Sequence, residues 1–423
     1  MKHPIAAVIS AIALALAAMF GATASAKAQA APYMVVDART GDIFAQRNAF
    51  KRWQPASLNK LMTAYITFQE LKRGSIDLRS PVVQSKNSIA EPPSKMGYKV
   101  GSVLTVDNAL KIILVKSAND ISVALGEAVS GSESAFIARM NSEARRLGMT
   151  DTNFVNPHGL PSSRQYTTAR DMALLGMAIH RDFPEHKWRF NVPAIRSGGK
   201  VLRSQNVLLG RFNGADGMKT GFVCASGFNL VGSATQRGRR MIAVVLGARS
   251  QNERLETSAN LLAASFRKRR GEGNVRTLRP YGENRTTVAN IRPEICSSAA
   301  QRKRWEVRDE QGRLKISTPH IKARTGKLPI IDVSLGGATG PAPRRAVTAS
   351  ATGQSVGIVP RDRPGGFGEP PVSASTALRG AQTSETAAEQ QLANVAPAAG
   401  RPTASTGSAL APAIAPIPRF RPR

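Results

Sequence analysis

Cysteine is almost missing from this chain: Cys224 and Cys296 are the only two among 423 residues. Two thiols do not make a disulfide framework, so an ordinary apolar core has to carry the fold. The reading weighs against a bridge between them and expects Cys224 to serve packing. Histidine is scarce as well, with five in the chain and none in an H-x-H or H-E-x-x-H pattern. Zinc-dependent hydrolysis is left without a ligand set, and no metal or other cofactor is expected. Acidic residues are few: 28 Asp and Glu stand against 59 Lys and Arg, a formal net charge of +31. Long apolar runs are missing after the first one. That run, Ile5 to Phe20, follows Met1-Lys2-His3 and leads to Ala24-Ser25-Ala26 and Ala28-Gln29-Ala30. A positive start, an apolar stretch short of the roughly 20 residues that span a bilayer, and small-x-small sites read as a cleaved export signal. A basic surplus suits an anionic partner, and because export argues against nucleic acid, an anionic wall polymer or membrane surface is the better match. The competing reading is that the charge only keeps the chain soluble.

What is present is a continuous patterned core from about Tyr33 to Leu262. Tyr33-Met34-Val35-Val36-Asp37 and Asp42-Ile43-Phe44-Ala45 flank the turn signal Thr40-Gly41 and predict a hairpin. Helical periodicity follows at Leu58–Leu71, Asn108–Val115, Asp120–Val129, Ser134–Leu147 (closed by Gly148) and Thr168–His180. Gly227–Ala234 and Arg240–Leu246 predict strands joined at Gln236-Arg237-Gly238-Arg239, before a last helix at Leu255–Phe266. Helices in the middle and strands at both ends imply an antiparallel sheet that gathers the two ends, an α+β arrangement. The expected layout is an export signal at 1–30, a folded domain at 31–270, a small β region or linker at 271–335 and a disordered tail at 336–423. In the third segment, Trp305-Glu306-Val307-Arg308 and Arg313-Leu314-Lys315-Ile316 are candidate strands around Gln311-Gly312. The tail is Ala, Pro, Gly, Ser and Thr with scattered Arg, too poor in large apolar residues to offset its ordering entropy.

Three short motifs occur in order: Ser57-Leu58-Asn59-Lys60, Ser117-Ala118-Asn119 and Lys219-Thr220-Gly221. An S-x-x-K alone is weak, and Ser197-Gly198-Gly199-Lys200 is another. Ser57, however, opens a strongly periodic helix, whereas Ser197 sits in a glycine-rich loop. On a helix, positions three apart share a face, so Lys60 can point its amine at the Ser57 hydroxyl. The bland alternative for Ser57 is an N-cap. S-x-N is weaker still, since Ser85, Ser204, Ser250 and Ser258 open the same pattern. K-T-G occurs once, and its bland reading is a turn before a strand. The order and spacing of all three match serine β-lactamases and penicillin-binding proteins.

The resemblance reaches beyond the motifs. Tyr33 to Gly41, Pro55 to Thr63, Leu114 to Asp120, Asn153 to Leu160 and Asp216 to Phe222 all resemble D-alanyl-D-alanine carboxypeptidases, the low-molecular-mass penicillin-binding proteins. The resemblance covers roughly Pro32 to Phe266 and implies a β-lactamase/transpeptidase-like fold. It further implies that Ser57 attacks the carbonyl between two terminal D-alanines of a peptidoglycan pentapeptide, forming an acyl-enzyme that β-lactams would also form. Lys60 would be the general base. A lysine ordinarily titrates near 10.4, so burial and the charge of Lys219 have to lower it for that role. Ser117 would relay the proton, and Asn119 would hold the substrate amide. Lys219 and Thr220 would bind the terminal carboxylate, with Arg254 as a second contact unless it is a solvated surface charge. Gly221 would let substrate lie beside the strand, and the Ser57 and Phe222 N–H groups would form the oxyanion hole.

Other readings stay open. A relative cutting D-alanyl cross-links would carry the same motifs. A β-lactamase would need a second base between S-x-N and K-T-G, and Glu133, Glu143 and Glu185 stand there in unfamiliar contexts. A non-catalytic wall binder would have no use for the Ser57, Lys60, Ser117 and Lys219 set. His158, in Asn-Pro-His-Gly, is expected to have neither a metal nor a catalytic role.

Overall fold

Tyr33–Asp37 (β1) carries apolar side chains at successive positions because both of its faces are covered. In the computed structural model, which describes residues 31–282, 285–303, 314–324 and 326–342, β1 pairs antiparallel with Ile43–Arg47 (β2). The expected export signal, most of the expected tail and nearly all of the strand pair expected around Gln311-Gly312 lie outside the described residues.

Helices then follow. After a 3-10 turn at Ala56–Leu58 comes α1, Asn59–Arg73. A short strand pair, Pro81–Val83 (β3) with Val103–Thr105 (β4), brackets the one-turn helix α2, Lys86–Ile89. Next are α3 (Val106–Val115), α4 (Asn119–Ser130), α5 (Glu133–Arg146) and α6 (Ala169–Asp182). Thr105, Ser132 and Thr168 accept from backbone N–H groups at the starts of α3, α5 and α6. Such caps stabilise a helix by about 1 kcal/mol each. The chain then forms a hairpin of Ala194–Ser197 (β5) with Lys200–Arg203 (β6), and the long strands Ala215–Val223 (β7), Gly227–Gln236 (β8) and Arg239–Ala248 (β9). The last long element is α7, Gln251–Arg267, capped by Ser250.

The sheet order is β2-β1-β9-β8-β7, so strands from both ends of the patterned core meet at β1 and β9. Successive residues go to opposite faces. Val36, Ile242 and Val244 join the large core formed with α1 and α3–α6. Val35, Met241 and Ala243 join a second core under α7, with Leu255, Ala259 and Leu262. α1 is buried all round from Asn59 to Phe68, the signature of a helix inside a core rather than on it. The β8–β9 turn has Arg237 at φ 50° and Gly238 at φ 75°, the two left-handed positions of a tight hairpin.

Several expectations change. Lys219-Thr220-Gly221 lies inside a further strand, β7, at the sheet edge, which sets aside its bland reading as a turn. The pairs β3–β4 and β5–β6 are too short to leave a period in the sequence. Ser197-Gly198-Gly199-Lys200 closes the β5–β6 hairpin, with both glycines at positive φ. The cysteine expectation is corrected: Cys224 and Cys296 are bonded, with Cα atoms 5.6 Å apart across 72 residues. Their meeting depends on the chain after α7 folding back over the end of β7. There the Ile291 N–H donates to the Ala225 carbonyl, and Arg292–Cys296 forms the helix α8. Further on, after the helix α9 (Ser298–Lys303), Ile331–Asp332 (β10) pairs parallel with β5.

Candidate active site

Ser57 sits in the 3-10 turn that starts the central helix, and its hydroxyl does not cap α1. It is engaged from below instead. Lys60, one turn on and fully buried, donates to Ser57 Oγ at 3.1 Å. The same Nζ donates to Asn119 Oδ1 at 2.8 Å and to the His158 carbonyl at 2.8 Å. Those two oxygens can only accept. A neutral Lys60 amine, with two N–H bonds committed to them, therefore directs its lone pair at the Ser57 hydroxyl.

The turn carrying Ser57 is clamped from the sheet. Asn229 of β8 donates to the carbonyls of Gln54 and Pro55 at 3.0 and 3.1 Å, and Trp53 Nε1 donates to the Ser226 carbonyl at 2.8 Å. From the other side Asn59 donates to the Asn156 carbonyl and to Gln165 Oε1. Gly159, at φ 101°, presses so close that a Cβ would stand 1.8 Å from the Ala56 carbonyl oxygen. Only glycine fits there.

Ser117 and Asn119 leave the end of α3 and open α4. Ser117 has φ 68°, and its buried hydroxyl has no hydrogen-bond partner among the described residues. Asn119 Nδ2 donates to the Pro92 carbonyl at 3.0 Å, and its backbone N–H to that of Ser94 at 2.7 Å. Beside it, Asp120 accepts from the N–H groups of Met96 and Gly97. Burial nevertheless pushes its carboxyl above the ordinary carboxylate value.

β7 forms the other wall. Lys219 and Thr220 are buried there, Lys219 Nζ donating to the Thr220 carbonyl at 3.0 Å. Phe222 packs on Phe228 with centroids 4.3 Å apart and the rings tilted by 35°. A Cβ on Gly221 would lie 3.0 Å from the Ser57 nitrogen and 3.1 Å from the Pro55 carbonyl oxygen. The glycine is thus demanded by the Ser57 turn itself and not only by a ligand along the strand. Arg254, in the first turn of α7, is not a solvated charge: it is buried, with its guanidinium 5.7 Å from the Phe228 ring centroid and donating to the carbonyls of Gln205 at 3.3 Å and Asn229 at 3.5 Å.

Sequence reasoning named the residues of the three motifs but passed over the His158 carbonyl, Gly159 and Asn229, whose contributions run through main-chain groups or through contacts with a distant turn. The Asn-Pro-His-Gly run signalled a turn, not what the turn would touch. The His158 ring is a separate matter. It comes within 4.8 Å of Glu91 and Glu133, a grouping that could hold a cation. The ring geometry opposes this. Nδ1 accepts from the Leu160 N–H at 3.2 Å, which leaves the proton on Nε2, facing Glu91 at 3.0 Å. No lone pair then remains for a metal. Burial first, against the pull of Glu91, lowers the imidazole below its usual value.

The arrangement supplies a serine hydroxyl beside a lysine amine, and an edge strand bearing a cation and a hydroxyl. Its counterparts are known. The profile of the D-alanyl-D-alanine carboxypeptidase family matches residues 19–250. The chain is 38% identical over 270 residues to D-alanyl-D-alanine carboxypeptidase DacC of Escherichia coli, covering 59% of this chain and 66% of that one. It therefore spans just under two thirds of that relative's length. The crystal structure of DacD from Francisella tularensis superposes with a TM-score of 0.55 at 34% identity, over 56% of this chain and 70% of that one. Penicillin-binding protein D2 from Listeria monocytogenes, in its cefotaxime-bound form, does so at 0.51 and 28%, over 56% and 96%.

Proposed function

This chain belongs to the D-alanyl-D-alanine carboxypeptidase family, and on that premise we propose that it removes the terminal D-alanine from peptidoglycan pentapeptides through an acyl-enzyme on Ser57. The observation that carries the reading is the Lys60 amine, held by two obligate acceptors with its third direction on Ser57 Oγ.

Ser57 Oγ gives its proton to Lys60 as it attacks the carbonyl of the penultimate D-alanine. Ser117, whose hydroxyl has no partner among the described residues, passes a proton to the departing D-alanine amine. Water then cleaves the ester with Lys60 again as base. Because β7 is the sheet edge, the substrate peptide lies along it as an added strand, with Asn119 holding its amide. Lys219 and Thr220 bind the terminal carboxylate, and Arg254 supports that end of the site from α7. The Ser57 and Phe222 N–H groups receive the developing oxyanion. A β-lactam enters the same place and stops at the acyl-enzyme, in keeping with the cefotaxime-bound Listeria relative. The basic chain works in the cell envelope after export, where the wall is its substrate.

The test is covalent labelling with a fluorescent penicillin, followed by peptide mapping and by analysis of products from a synthetic pentapeptide. Label on Ser57, its loss in Ser57→Ala and release of one D-alanine support the reading. Well-folded protein that takes no label and releases nothing sinks it, and cleavage confined to cross-linked dimers would make the protein an endopeptidase.

A further inference from the structure

The far end of the sheet holds a second cleft, of about 540 Å³, lined by Asp37, Arg39, His180, Arg181 and the Arg237–Arg240 turn. That volume is within the roughly 300–1,000 Å³ typical of small-ligand sites. Its walls come from three separate elements: the β1–β2 turn, the last turn of α6 and the β8–β9 turn. The active site is elsewhere. Lys219 stands opposite Val231, and the β8–β9 turn begins five residues further along at Gln236. At 3.4 Å per residue the strand alone separates the two by about 17 Å.

Two features set this cleft apart from an ordinary basic surface. The first is His180. It is buried against the cleft, and neither ring nitrogen has a hydrogen-bond partner among the described residues. Leaving such a group unsatisfied is costly, so a ligand that accepts its N–H recovers that loss. Burial first, and then the Arg240 charge, hold the imidazole down to about 4, so it is neutral at pH 7 and has one N–H to give.

The second is the disposition of the guanidiniums. Arg39 and Arg237 are exposed, and neither makes a side-chain hydrogen bond among the described residues. Arg181 and Arg240 are positioned by Asp182 and Asp216. Arg239 faces away, bonding carbonyls at the end of α7. The one lining carboxylate, Asp37, is occupied by the N–H groups of Arg39 and Thr40. Cationic side chains therefore line the cleft from three separate elements, and its one lining carboxylate is already engaged. A planar carboxylate is satisfied by one such fork, whereas a tetrahedral phosphate accepts from several directions at once.

The geometry points to a phosphate-ester binding site, independent of the catalytic centre, in which Arg39, Arg237, Arg240 and the His180 N–H hold the phosphate oxygens and the remaining volume takes its organic substituent.

The test uses the full chain. Calorimetry at low salt with glycerol 3-phosphate should show saturable binding. Arg39→Ala/Arg237→Ala should weaken it about tenfold or more, and His180→Phe several-fold. A control pair of exposed arginines outside the cleft, Arg79→Ala/Arg145→Ala, removes the same charge and should leave affinity unchanged. Flotation with phosphatidylglycerol vesicles identifies the source of the phosphate. Membrane binding lost with the cleft pair and kept with the control pair makes it a lipid headgroup, and membrane binding indifferent to the cleft makes it a soluble or polymer-borne ester. Penicillin labelling of all variants should stay at the wild-type rate, which also certifies their folding. Absence of saturable binding, or equal weakening by the two arginine pairs, would overturn the proposal.

Discussion

Gly221 and Ser57 meet backbone to backbone across the site: a Cβ on the glycine would stand 3.0 Å from the serine nitrogen and 3.1 Å from Ala56 Cβ. The edge strand and the nucleophile turn are thereby held as one rigid pair. Gly221→Ala has to push them apart by a few tenths of an ångström. Because a misplacement of about 1 Å costs about 10²-fold in rate, a shift of a few tenths should slow acylation by a fluorescent penicillin roughly several-fold while the melting temperature moves little. An unchanged acylation rate would show that the contact is not part of the machinery.

Lys60→Met keeps most of the side-chain volume and removes the amine. The base is lost, and the Asn119 and His158 oxygens keep no partner in its place. We expect acylation slower by about 10²–10⁴, followed as penicilloyl-protein by mass spectrometry, with a stability loss of about 1–3 kcal/mol for each acceptor left dry. A variant acylated at the wild-type rate would remove Lys60 from the proton path.

The Cys224–Cys296 bond ties the end of β7 to the chain that folds back after α7. Cys224→Ala/Cys296→Ala should lower unfolding stability by about 2–4 kcal/mol, seen as an earlier denaturant midpoint, and reductant should do the same to the wild type alone. Identical midpoints with and without reductant would show that the bond adds nothing.

Tyr65 predicts a response to alkali. Burial first, then its hydrogen bond to Asp182, raise its hydroxyl from 10.0 to about 12. The folded state holds that proton longer than the unfolded chain. The contribution is therefore complete below pH 10 and is lost as pH climbs towards 12. Tyr65→Phe should melt lower than wild type at pH 9, and the gap should close by pH 12. A gap constant over that range would mean the hydroxyl titrates alike in both states.

The local code was readable where one element carried the information. Thr168 before Asp171 announced the cap of α6, Gly148 the end of α5, and Arg237-Gly238 the β8–β9 turn, because capping and positive φ are decided within a few residues. The sheet's makeup followed from strands lying at both ends of the patterned core. Ser57 and Lys60 were legible as a pair because three residues on a helix is a contact. For K-T-G the bland reading of a turn stayed open in the sequence, since nothing in three residues says whether a strand has already begun upstream; the structure puts it inside β7.

What the sequence alone determined, then, is what lies within one helical turn or one hairpin: caps, turns, the Ser57–Lys60 pair and the alternation that lets the long strands face two cores. Tertiary structure alone decided which distant groups complete the site. The His158 carbonyl meets Lys60 across 98 residues, Asn229 clamps Pro55 across 174, and Cys296 reaches Cys224 across 72. Those contacts involve main-chain oxygens, an amide and a sulfur that carry no periodic signature. They come together only when the burial of α1 against the sheet fixes where each turn must pass.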